Sequence, residues 1–133
     1  MPVFCFFVFL ISLLQGCSTS SHSSDYRYPS KFSINVDRDL LETHDGKTFT
    51  ANLNGVHPVL GNAIKIKVRG LIAESLNDPD PKKSNLAFRQ WHRFTVLLKE
   101  AETIDIRDLE RGKGGFWVLA DVYVDDFLIT GSL

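Results

Sequence analysis

The chain is poor in what staples small proteins or carries them through membranes. Two cysteines in 133 residues cannot build a disulfide framework. Neither sign of charge dominates: 15 Lys and Arg stand against 16 Asp and Glu, a net of -1, which excludes the overall basic field of a dedicated polyanion binder. No apolar run approaches the roughly 20 residues that span a bilayer. There is no Walker loop, no Rossmann glycine fingerprint and no convincing Ser, His and Asp arrangement. His44, His57 and His92 lack the spacing to Cys or Asp that zinc sites use. What remains is a globular composition, 44% apolar, in one domain's length. Such a chain can bury roughly two thirds of its unfolded surface without metal or disulfide.

The leader is uneven in composition. Residues 1–16 carry no charged side chain, and residues 3–14 are apolar apart from Ser12, which fits the hydrophobic region of an export signal. Leu14-Gln15-Gly16-Cys17 then resembles a bacterial lipobox, in which the cysteine is acylated and becomes the first mature residue. Residues 1–16 are therefore expected to be a lipoprotein signal peptide, removed together with Cys5. Residues 17–30 form a Ser-rich tether, and residues 31–133 form the folded domain. Lipidated Cys17 makes a membrane the expected partner and the bacterial envelope the expected location, on the periplasmic or outer-membrane side. The alternative is an ordinary secretory signal and a secreted protein.

Beyond the tether, period-2 alternation dominates. Phe32, Ile34 and Val36 alternate with polar neighbours, Asp45-Gly46 marks a turn, and Phe49, Ala51 and Leu53 alternate again, so a first hairpin is expected. Ile64, Ile66 and Val68 alternate with Lys65, Lys67 and Arg69, a strand with one basic face. Asn77-Asp78-Pro79-Asp80-Pro81 reads as a loop. Ser84 is the expected N-cap of an amphipathic helix with its stripe at Ala87, Trp91, Phe94, Leu98 and Ala101. Ile104 and Ile106 start a fourth strand, and Phe116 opens a fifth after Gly112-Lys113-Gly114-Gly115. The order β-β-β-α-β-β predicts a mainly β, α+β domain: a five-stranded OB-fold barrel with one helix between strands 3 and 4.

His44-Asp45-Gly46-Lys47-Thr48-Phe49-Thr50, Ile66-Lys67-Val68-Arg69-Gly70, the helix from Phe94-Thr95 to Ala101, Glu110-Arg111-Gly112-Lys113 and Ala120-Asp121-Val122-Tyr123-Val124-Asp125 resemble the staphylococcal nuclease (thermonuclease) family. That resemblance implies an OB-fold and a calcium-dependent phosphodiesterase with two metal carboxylates, a Glu beside the attacking water and two catalytic arginines. The positions that match are occupied otherwise. Lys47 and Ile72 stand at the two metal-ligand places, Lys67 and Trp117 at the two arginines, and Ser75 at the Glu, with Glu74 one residue away. The family also continues past the fifth strand through at least one further helix. The expectation is therefore that a protein partner covers the end of the barrel where Phe127, Leu128 and Ile129 lie, or that the chain is a truncated remnant.

Charge decides what these substitutions imply. A unit charge about 4 Å from a dication, at an effective dielectric near 20, interacts by roughly 8 kcal/mol, so replacing Asp by Lys swings the balance by up to about 16 kcal/mol. Calcium draws its affinity from carboxylates, and Lys67 lacks the guanidinium fork that matches phosphate. The expectation is a nuclease-like domain without cleavage, needing no cofactor and retaining weak nucleic-acid or protein binding. The alternative is a calcium-dependent endonuclease rebuilt around Glu74, Asp78 and Asp80. Lys65, Lys67 and Arg69 read as phosphate contacts or as a solvated strand face. Trp117 and Tyr123 read as base platforms or as packing.

Overall fold

A computed structural model describes residues 29–133. The expected signal peptide, Cys17 and nearly all of the expected tether lie outside the described residues. The elements in chain order are β1 (Lys31–Ile34), α1 (Val36–Asp39), β2 (Leu40–Thr43), β3 (Thr48–Ala51), α2 (Pro58–Gly61), β4 (Ile64–Val68), α3 (Pro81–Lys99), β5 (Ile104–Arg111), β6 (Trp117–Val124) and β7 (Phe127–Leu128), closed by a 3-10 turn (Ile129–Gly131). The strands make one curled, open sheet in the order β1-β5-β6-β4-β3-β2, with β7 on β6. All adjacent pairs are antiparallel except β4 and β6. The protein is mainly β with a few helices, as its alternating pattern predicts.

The strand count differs from the expected five: the described residues hold seven. The first hairpin also has a different arm. Asp45-Gly46 joins β3 to β2, not to the Phe32, Ile34 and Val36 segment, and β1 instead pairs with β5, Phe32 lying opposite Ile106. Local capping explains the break. Asn35 accepts the Arg38 N–H with its side-chain oxygen at 3.0 Å, while the Asp39 carboxylate accepts the Asn35 N–H at 2.9 Å. This reciprocal cap stabilises one helical turn where alternation alone predicts continued strand. Asp39 is buried, and the Arg38 guanidinium grips both its oxygens at 2.9 and 3.0 Å. The Arg38 hydrogen bonds lead the causes that lower the Asp39 pKa to about 2, against the opposing effect of burial.

The long helix α3 starts earlier than Ser84. Asp80 is its N-cap, accepting the Lys82 N–H at 3.0 Å, and Pro81 occupies the first helical position. Proline fits there because its missing donor is one the first turn leaves unpaired anyway. Ala87, Phe94 and Leu98 are buried as the stripe predicts, and Ala101 is buried just past the helix end. Trp91 is half-buried; its indole N–H donates to the Thr43 carbonyl at 3.2 Å and lies 3.1 Å from the Thr43 hydroxyl. These contacts hold α3 against β2.

Between sheet and helix lies one core. Phe49 and Phe94 meet with ring centroids 6.1 Å apart, surrounded by Ile66, Ile104, Ile106, Ala120 and Val122, all fully buried. Alternation places these inward and Lys65, Lys67 and Arg69 outward. Ile129 is also fully buried within this cluster, so part of the segment expected to await a partner fills the chain's own core, while Phe127 stays exposed. No helix among the described residues is long and apolar enough to cross a membrane.

Candidate functional site

The turn between β2 and β3 is built by its own side chain. Asp45 accepts the Lys47 N–H at 2.8 Å, the self-bonding turn that aspartate favours, and the His44 N–H closes it on the Thr48 carbonyl at 2.8 Å. Gly46 is pressed against the loop after β4 and against α3: a Cβ there would sit 3.0 Å from those of Ala73 and Gln90. The Lys47 carbonyl accepts the Val68 N–H at 2.9 Å, tying the turn to the end of β4. From the other side, the Gln90 side chain accepts the Glu74 N–H at 2.9 Å and fixes the loop.

Turn and loop enclose a cleft of about 300 Å³, lined among others by His44, Asp45, Lys47, Glu74, Ser75 and Asn77. Three positions singled out in the sequence, Lys47, Glu74 and Ser75, thus come together. Ile72 does not join them: it is 90% exposed and is not among the lining residues. Asp78 and Asp80 also stay out. Asp78 accepts the Asp80 N–H at 2.9 Å and Asp80 caps α3, so these carboxylates shape the helix entry. No group of three or more His, Cys, Asp or Glu is placed to hold a metal among the described residues. The cleft instead mixes an ammonium with two carboxylates. His44, which the sequence reading did not select, belongs to it, and its ring Nε2 lies 2.6 Å from the Thr50 hydroxyl. Its position directly before Asp45 is the signal that could have marked it.

Lys67 and Trp117 meet elsewhere, on the outer face of the sheet. The Lys67 ammonium sits 4.0 Å from the Trp117 ring centroid, a cation–π contact, and the indole packs over Gly112, where any Cβ would collide with the ring. Of the two readings of Trp117, the geometry supports packing. Arg69 is engaged too. It donates to Asp121 at 2.9 Å and to the Asp108 carbonyl at 2.9 Å, with Glu110 at 3.6 Å; the Asp121 bond chiefly raises its pKa. Arg107 lies 4.1 Å from the Tyr123 ring centroid and 3.3 Å from Asp105. Asp105 is buried, and its pKa is lowered first by the Ser33 hydroxyl at 2.6 Å, then by Arg107 and Lys31. The basic face is therefore largely braced by its own partners, and Lys65 is the most open of the three cations named in the sequence.

No protein-family model and no curated protein matches the chain in comparison.

Proposed function

We propose that this chain is a lipid-anchored envelope protein carrying an OB-fold domain of staphylococcal-nuclease type that binds rather than cleaves. Strand connectivity supports the fold. β1 and β2 are consecutive in the chain, separated by Asn35 and the one-turn α1, and pair respectively with β5 and β3. Counted as one bent strand, they give the open sheet the pairing order of a five-strand cycle with a parallel pair at β4 and β6, the order expected of a Greek-key OB-fold. The short β7 is an addition to that cycle.

One observation carries the loss of cleavage. The residue lining the cleft at the first metal-ligand place is Lys47, whose ammonium shares that cleft with Glu74, and it repels a dication where the resemblance calls for an anion. Ile72, at the second ligand place, offers no oxygen. Lys67 and Trp117, at the arginine places, are held against each other on the outer sheet face. Binding through Lys65 and the remaining outer cations is weak and salt-sensitive on this reading, because Arg69 is already paired.

The full chain, incubated with DNA and with RNA in the presence of Ca2+, is expected to leave both intact. Cleavage that scales with calcium and disappears in Glu74→Ala overturns the proposal and installs the endonuclease reading.

A further inference from the structure

One end of the sheet combines exposed apolar side chains with several basic ones; the acidic groups near it, Asp39 and Glu110, are engaged by Arg38 and Arg69. β4 and β6 run parallel with Lys65 opposite Trp117, so the segment before β4 and the turn before β6 lie at the same end. There Val59 and Leu60 on α2 are 79% and 51% exposed, and Phe116 at the β5–β6 turn is 94% exposed. Residues 53–67 and 111–120 contain Lys65, Lys67, Arg111 and Lys113 and no acidic residue. The nearest carboxylate along β5, Glu110, faces Arg69 at 3.6 Å. In a chain whose net charge is -1, this end is a local cationic patch rimmed by apolar side chains.

The direction of β1 supplies the occupant. β1 is antiparallel to β5, with Lys31 opposite Arg107 and Ile34 opposite Ile104. The chain therefore reaches Lys31 from the side toward which β5 runs, which is the side of the β5–β6 turn. From Cys17 to Lys31 is 14 residues (31 minus 17), a span of at most about 50 Å however it is arranged. An acyl anchor at Cys17 keeps the domain within that distance of a bilayer, and the chain enters β1 at this end. Apolar side chains that enter the headgroup region, backed by cations that meet anionic lipid, are the chemistry of interfacial binding.

We infer that the β5–β6 turn and α2 dock on an anionic lipid surface, with Phe116, Val59 and Leu60 entering the interface and Lys113, Arg111 and Lys65 meeting headgroup phosphates. The choice of a bilayer as occupant rests on the Cys17 anchor proposed above. This orientation turns the Lys47 and Glu74 cleft, at the opposite ends of β3 and β4, away from the membrane.

The test uses the full chain in vesicles of phosphatidylglycerol and phosphatidylcholine whose acyl chains carry bromine. With only two tryptophans in the protein, Trp91→Phe leaves Trp117 as the reporter near the turn, and Trp117→Phe leaves Trp91 on α3. Trp117 fluorescence is expected to be quenched about threefold more than that of Trp91, the interfacial depth being shallow, and Phe116→Ser with Lys113→Glu is expected to bring the ratio to about one. Equal quenching of the two reporters, a ratio unchanged by the double substitution, or no retention on vesicles overturns the inference. So does single-stranded DNA captured by the parent and lost in the variant without any lipid quenching, which makes nucleic acid the occupant. The mass of the N-terminal peptide reports acylation separately: an unmodified Cys17 sinks the anchor while the quenching ratio still decides the docking face.

Discussion

Asp39→Asn is the perturbation that most directly probes how the chain turns from β1 into β2. The substitution keeps the shape and an acceptor oxygen but removes the negative charge that Arg38 grips at 2.9 and 3.0 Å. With the carboxyl pKa lowered from 3.8 to about 2, the full linkage value is about 2.4 kcal/mol. Arg38 is itself 72% exposed, and solvent screening of that partner reduces the expected loss to about 1–2 kcal/mol. The sign follows from the depressed pKa: the carboxylate stabilises the fold fully above its unfolded value near 4, and the contribution fades as pH falls toward about 2. Urea unfolding of parent and variant, followed by tryptophan fluorescence, should therefore show the whole difference near pH 6 and about half of it near pH 3. A difference that is the same at both pH values, or below about 0.3 kcal/mol at neutral pH, refutes the idea that this charge holds the bend.

Three further outcomes are expected. Gly46→Ala places a Cβ 3.0 Å from Ala73 and Gln90, and forcing the turn from the helix should cost about 1–3 kcal/mol in chemical unfolding. Ile129→Ala removes a fully buried side chain from the core and should cost about 2–5 kcal/mol, seen as a lower thermal midpoint. Lys67→Met removes the cation from the Trp117 ring. It should cost about 0.5–1 kcal/mol and change Trp117 emission in a Trp91→Phe background, whereas Lys65→Met leaves that emission unchanged.

Much of the architecture is legible in the sequence because burial follows period. Ile66 and Val68 face inward with Lys65 and Lys67 outward, and Ala87, Phe94 and Leu98 share the inner side of α3. The helix start and the first strand are less legible, for one physical reason. Both are decided by a side chain bonding to a nearby backbone group, Asp80 to Lys82 and Asn35 to Arg38, and such bonds compete with periodicity over only a few residues. The cleft is half legible. Lys47, Glu74 and Ser75 meet because Gly46 permits the turn to press on the loop, whereas the exposure of Ile72, the bond from the Asp80 N–H to Asp78 and the capping by Asp80 depend on a loop course that alternation does not encode. Trp117 illustrates the same limit: its seat over Gly112 needs the hairpin's return path.

The outermost strands, β1 and β2, are each four residues long and are covalent neighbours across a single helical turn. A second molecule seeking to lengthen the sheet finds two stubs rather than a rail, with Asp37 and Arg38 between them on the connecting turn. Short, charged margins of this kind discourage strand-by-strand polymerisation. At high local concentration, that geometry favours dispersal over fibril growth.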